Sequence, residues 1–557
     1  MSDLPRKDSK KTTSDQYDVA ILGSGMAGGM LGAVLARNGV KVLLLDAGTH
    51  PRFAVGESTI PYTSGMTRLI ADRYKVPELE ALSSFKGIRK EVSRNCGQKQ
   101  NFGFVYHREG RPQNPEEVNQ LVVPSLLRTE THLFRQDIDA YLFHLAVKYG
   151  AVPQLATRIA DIEIDPDSGA VLRTEAGKEF RASYVIDGSG FRSPLAEKFG
   201  LRETPTRART HSRSLFTHMV GVRPYDESPN GRKHKQPNPW HNGTLHHVFD
   251  GGWLWVIPFD NHEDSLNPLC SVGLTFDPRV FPKGQATPEQ EFDDFLKRFP
   301  EIAWQFQGAK AVRPWVSTGR LQYSAKQVVG ERFCLTSHAA GFIDALYSRG
   351  LTNTMELVNA LGWRLIAASR DGDWSLERFS YLESLQQGLF DFHDDLVYSS
   401  FVGFRDYELW NAVNRTWMLG TMLGNVMLED AYYRFDTTGD AQVFLDLERS
   451  EHPGSPLPVS AGFNEMGTMT RKLCESVEDG KTTPGDAAKR ILRHIEQADF
   501  ISPSFRLGNE STRCFAMSPG KMAVNAVWSR REAPPEIGRR MINASKGLVR
   551  TRLRDFK

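Results

Sequence analysis

Three groups of residues in this chain have types and spacings that could do chemistry. The first is the turn Gly23-Ser24-Gly25-Met26-Ala27-Gly28, with Asp46 eighteen residues after its last glycine. Gly23 permits a tight turn, Gly25 lets backbone N–H groups approach a pyrophosphate, and Gly28 lets a helix pack closely on a strand. Ser24 and Ala27 are small enough to belong to the same cradle, and Asp46 stands where a carboxylate would accept ribose hydroxyls. These residues predict a bound dinucleotide; a structural glycine turn without a ligand would show the same glycines. The second is Lys99, within the alternating run Cys96–His107. That run reads as a strand with Phe102, Phe104 and Tyr106 on one face and Lys99, Asn101 and Gly103 on the other. Lys99 would then share a face with small and polar residues and could line a cavity, although a solvated surface lysine has the same pattern. The third is Gly251–Phe259, where strand alternation puts Trp253, Trp255 and Ile257 on one face, as a wall or as a core stack.

The elements that position these residues follow the chain. An apolar strand at Val19–Leu22, a helix at Met30–Arg37 and a second strand at Lys41–Leu45 frame the glycine turn. His50–Pro61 holds Gly56-Glu57-Ser58 ahead of an amphipathic run, Tyr62–Tyr74, and reads as another turn into a helix near the same ligand. Thr131–Ala151 reads as a helix opened by Arg135, Gln136 and Asp137; Arg135 could reach a phosphate or pair with Asp139 at the surface. Tyr184–Gly188 is a buried strand ending in Asp187-Gly188, and strands after Ser214 form a separate sheet. In Val329–Leu361 an apolar strand, Phe333–Leu335, leads past Asp344 to a helix beginning near Thr352. Such a helix start can hold an anion, a halide for instance, by backbone N–H donors and the helix dipole. After about residue 380 the pattern turns to long helices rich in aromatics, including Trp410 and Trp417.

Composition narrows the classes. The 557 residues need more than one core, and a net charge of +2 supplies no field to recruit nucleic acid or an acidic membrane. Five scattered cysteines without CxxC spacing argue for reduced thiols in a cytosol and against a zinc site, so a cytoplasmic protein without metal is expected. Residues 1–16 read as a polar tail, and no apolar run approaches a membrane span. The basic C-terminus, from Arg539-Arg540 to Arg552 and Arg554, reads as a solvated helix face.

The glycine turn with Asp46, the Arg135 helix, Asp187-Gly188 and the Asp344 segment resemble the FAD-binding module of the p-hydroxybenzoate-hydroxylase type. Gly56-Glu57-Ser58 and Trp253-Leu254-Trp255-Val256-Ile257-Pro258, a WxWxIP match, resemble the flavin-dependent halogenases, most closely their phenol and polyketide branch. Similar stretches at His50–Thr59, His132–Asp137, Phe216–Met219, Gly252–Phe259 and Gly341–Leu351 extend the resemblance over most of the chain. It implies a mixed α/β fold: an FAD-binding module over 17–380, with an inserted β-sheet substrate part at roughly 200–320, and a helical domain over 381–557. It implies FAD, used as FADH2, with Arg52, Glu57, Ser58, Arg135, Asp187 and Asp344 joining the glycine turn and Asp46 around it. Ser348, Gly350 and Leu351 would hold chloride or bromide. Reduced FAD, O2 and halide would yield hypohalous acid, which travels to Lys99, the catalytic lysine of the matching segment. Trp253, Trp255, Ile257 and Pro258 would keep the substrate from the flavin. The substrate would be an electron-rich phenol, in the setting of aromatic polyketide and antibiotic biosynthesis, and a separate NAD(P)H-dependent flavin reductase would be the partner. A homodimer is left open.

Two departures matter. Ala345 stands where the family often has proline, which frees a φ angle beside the halide residues. Tyr347-Ser348 stands near where tryptophan halogenases carry a glutamate that assists the lysine. No general base is assigned, and His107 is one candidate. A flavin hydroxylase of the same fold and a non-catalytic flavin scaffold are the alternatives.

Overall fold

In a computed structural model, residues 16–124 and 128–555 are described; the polar tail, residues 1–15, and the Arg554 side chain lie outside the described residues. Gln16, assigned to that tail, instead opens the first strand. Gln16–Leu22 is flanked in parallel by Val42–Leu45 and Glu179–Asp187, and the latter pairs in parallel with Phe333–Leu335. The strands are almost wholly buried because helices cover this sheet, as parallel sheets require. The helix after the glycine turn starts at Met26, four residues earlier than its apolar periodicity indicated.

A second sheet has nine strands, with Arg213–Val220, Leu269–Phe276, Gly252–Pro258, Gly243–Phe249, Asn101–His107 and Val118–Val122 adjacent in that order. This sheet, expected at roughly residues 200–320, therefore also takes in strands from before residue 200. Asn101–His107 joins it by parallel pairing to Gly243–Phe249 across more than a hundred residues of sequence, a contact that no local pattern announces. Period-two alternation sorts its faces. Trp253, Trp255 and Ile257 pack with Phe102, Phe104 and Tyr106 against the C-terminal helices, while Leu254 and Val256 pack with Val105, Leu245 and Phe249 on the opposite face.

The boundary placed near residue 380 falls inside one helix, Leu376–Gly403. That helix and Tyr407–Thr438 contribute to both main cores: Phe379, Leu382, Leu428 and Tyr432 to the nucleotide side, and Val397, Trp410 and Trp417 to the sheet side. The C-terminal helices are thus a third layer on shared cores. The last of them, Pro535–Asp555, is not merely a solvated face, because Arg540 is buried in ion pairs with Asp430 and Glu536. Among the described residues no helix is long and apolar enough to cross a membrane.

Candidate active site

The glycine turn is built as its residues require. Gly23 has φ +95°, where only glycine is unstrained, and a Cβ on Gly28 would lie 1.8 Å from the Gly23 carbonyl oxygen. Gly25 caps the Met26–Arg37 helix with no side-chain bond to the cap and no acid in the first turn, so its leading N–H groups face outward as anion donors. Asp46 accepts from the Ser24 N–H and hydroxyl at 2.7 Å and from the Gly48 N–H at 2.8 Å, and pairs with Arg52. Burial alone would raise its pKa, but Arg52 and these donors outweigh it and hold the carboxyl at about 2. A narrow glycine cradle, open helix donors and a permanently ionised carboxylate suit the pyrophosphate and ribose of FAD.

The other residues assigned to the cofactor divide. Arg135 directs four of its five N–H donors to Asp139 and to the Val55 and Gly56 carbonyls. Its ion pair is buried, not at the surface, and the guanidinium braces the Gly56 loop. Its helix begins at Arg135, because Glu130–His132 is a strand paired with Gly97–Lys99. Asp187 accepts from Ser189, Ser193 and the Leu195 N–H. It thereby organises the loop and the short helix at Pro194–Lys198. Glu57 accepts from His218 Nε2 at 2.7 Å, and Arg313 donates to the other ring nitrogen, which fixes the proton on Nε2. Asp344 takes the Ser212 hydroxyl and the Leu346 N–H beside Trp253, and burial lifts it to about 7.

The helix expected near Thr352 starts at Arg349, after Ser348 at φ +53°. Ser348 and Gly350 lie in its first turn, with Gly350 close against His338 Nε2, whereas Leu351 is turned into the nucleotide-side core. Trp253 and Trp255 pack with ring centres 5.4 Å apart and planes tilted by 41°, and Trp255 leans on Gly273, where any Cβ would strike the indole. At the far end of the same strand, the Pro258 carbonyl bonds His132 Nδ1. The WxWxIP strand thus runs from Asp344 toward the lysine.

Lys99 is only 1% exposed. It donates to Ser58 Oγ and to the Thr59 carbonyl, both at 2.7 Å, and its ammonium lies 4.1 Å from the centre of the Phe102 ring. Sharing a side with Phe102 corrects the alternation reading. The run breaks at Gln100, Gly97–Lys99 pairs with Glu130–His132 instead of joining the large sheet, and the parity of faces is lost across the break. Ser58, assigned to the cofactor, holds the lysine and also bonds Thr244.

Directly opposite Lys99 in the two-stranded ladder is Glu130, 2% exposed, accepting from Ser64 at 2.7 Å. Burial drives Lys99 down to about 7 and Glu130 up to about 7, each partly restrained by the other. Glu130 is the residue that the sequence reading missed. The available signal was Glu130-Thr131-His132, a polar run just before an amphipathic helix, but only strand pairing explains its burial. His107, the suggested base, bonds His247 at 2.9 Å in a separate buried group with Tyr225. Lys99, Glu130 and Phe102 form the inner end of a cavity of about 670 Å³, walled by Trp417, Met422 and Phe515 and reaching solvent beside Lys521, Arg530 and Lys546.

This cradle and this fold define an FAD-binding protein, and a family model described as an FAD binding domain matches residues 16–266. The chain is 45% identical over 98% of its length, and 99% of the relative's, to tetracycline 7-halogenase of Kitasatospora aureofaciens. It is 46% identical over 89% of its length, and 87% of the relative's, to monodechloroaminopyrrolnitrin halogenase PrnC of Pseudomonas fluorescens. The crystal structure of halogenase PltM in complex with phloroglucinol and FAD superposes with a TM-score of 0.86 at 34% identity, covering 90% of this chain and all of that one. The chain belongs to the flavin-dependent halogenases, and it is an enzyme of that class.

Proposed function

We propose that this enzyme uses FADH2, O2 and chloride or bromide to make hypohalous acid, which passes to Lys99 and is transferred to an electron-rich phenolic substrate, an aromatic polyketide in natural-product biosynthesis. The observation that carries this reading is the Lys99 amine, buried at the inner end of a large apolar cavity. FAD, when bound, supplies the two-electron reduction of O2. The chain's own residues do the rest. The glycine turn, Asp46 and Arg52 hold the dinucleotide, and the N–H groups at the Ser348–Gly350 turn face a halide.

Lys99 needs a neutral amine to take up halogen, and burial provides one near pH 7. Glu130 is placed to hold the proton that Lys99 releases, while the Ser58 hydroxyl and the Thr59 carbonyl fix the nitrogen. A phenol ring would lie in the cavity against the contacting Phe102 and Trp417 rings, and its own hydroxyl activates it. Electrons arrive from a separate NAD(P)H-dependent flavin reductase. The two named relatives act on different scaffolds, so the substrate class rests on the cavity: it is wide, apolar and lined by aromatics.

The test is a reaction reconstituted with a flavin reductase, a panel of phenolic polyketides and competing halides, read by mass spectrometry. Halogenated product that disappears in Lys99→Ala while flavin oxidation continues is expected. Unchanged product in that variant removes Lys99 from the mechanism. An oxygenated product independent of halide indicates a hydroxylase instead.

A further inference from the structure

The cavity that ends at Lys99 is unusually rich in thioethers. Met422, Met517, Met522 and Met541 all line it, four of the 14 methionines in 557 residues, although leucine would supply similar apolar area. Thioethers are soft, oxidisable groups. No cysteine lines this cavity among the described residues, so methionine is its readily oxidised side chain. One of the sulfurs already faces a donor: Asn525 Nδ2 lies 4.0 Å from Met517 Sδ. Asn525 is held in that orientation because its Oδ1 accepts from Ser502 and Ser504. Ser529 Oγ lies 3.6 Å from Met541 Sδ, with its proton given to the Asn525 carbonyl at 2.6 Å. A thioether is a weak acceptor, whereas a sulfoxide oxygen is a strong one. The Asn525 donor therefore suits an oxidised Met517 better than a reduced one.

We propose that the cavity methionines are a self-modification site that intercepts hypohalous acid passing Lys99 when no arene is bound. The proposal rests on the reading that hypohalous acid reaches this cavity. The sulfur lone pair attacks the halogen, so an S–X bond forms as the O–X bond breaks. Oxygen from the released hydroxide then bonds to sulfur and halide departs. The net change, R2S + HOX → R2SO + H⁺ + X⁻, oxidises sulfur by two electrons, reduces the halogen and sends the proton to solvent. Sulfoxides make this apolar wall polar, so an enzyme starved of arene loses grip on its substrate while its nucleotide cradle is untouched.

The test turns over the holoenzyme with reductase, chloride and catalase, with and without a phenol probe, followed by peptide mass mapping. Without the phenol, a gain of about 16 Da is expected at Met422, Met517, Met522 and Met541, severalfold above that at Met469, which is also half-buried but lies off the cavity. The gain is suppressed when phenol is present or chloride omitted. Combined Met517→Leu and Met541→Leu substitution, which keeps the packing volume, should at least double the hypochlorous acid caught by a trap outside the enzyme. Equal oxidation at Met469, or oxidation that persists without chloride, overturns the proposal even if the phenol is chlorinated. Failure to chlorinate the phenol while flavin turns over removes the reading beneath it.

Discussion

The nucleotide cradle and the lysine cavity treat charge in opposite ways. Around Asp46, backbone N–H groups, a serine hydroxyl and Arg52 keep a buried carboxylate ionised, at about 2. Around Lys99 and Glu130, apolar walls and a few neutral partners pull both groups toward neutrality, each at about 7. One region holds a fixed charge; the other lets its buried groups approach neutrality. A cationic partner together with dense donors outweighs desolvation at Asp46, whereas neutral donors alone do not at Asp187, which burial raises.

The contrast can be broken, starting from the largest effect. Lys99→Ala should abolish halogenation, with a fall of at least about 100-fold in product rate, of the size of a lost transition-state partner, while NAD(P)H-coupled flavin oxidation continues. On the other side, Gly28→Val should abolish FAD retention, read by flavin absorbance after gel filtration, because its Cβ has no room beside the Gly23 carbonyl. Glu130→Gln should lower halogenation by about 10- to 100-fold, the range for a positioned proton partner. It should also move the acidic limb of the pH–rate profile downward, since the Glu130 charge is what raises the Lys99 pKa against burial.

The smallest effects sharpen the comparison, because they have opposite signs. Asp46 has a depressed folded pKa, so its stabilisation is fully present above the ordinary value of 3.8 and is lost as pH falls toward 2. At neutral pH Asp46→Asn should cost about 2 kcal/mol. Lys99 also has a depressed folded pKa, but for a base the depression costs stability below the ordinary value of 10.5. Lys99→Met should therefore raise the melting temperature at pH 7, with the gain shrinking as pH rises from about 7 and gone above 10.5, while halogenation is lost. Thermal unfolding of both variants across pH reads the two signs directly.

Legibility followed sequence distance. Gly23 to Asp46 could be read because one β-α-β unit carries the whole geometry, and Trp253 to Pro258 because alternation along one strand fixes its faces. Lys99 was visible as a residue, but its surroundings were not. Its partner across the ladder is thirty-one positions away at Glu130. The break at Gln100 reversed the face it shares with Phe102, and Ser58 turned out to accept from the lysine. Arg135 and Asp187 look like ligand residues in sequence; the structure adds that they brace the loops beside them.

By itself the sequence determined the glycine turn with Asp46 and the alternation of the Trp253–Pro258 strand, and singled out Lys99, since each is written in short-range spacing. Tertiary structure alone decided that the lysine is buried, that Glu130 stands opposite it and that helices from the end of the chain close the cavity over both. A residue's protonation and its company depend on what distant segments exclude water from it, and no local pattern encodes that exclusion.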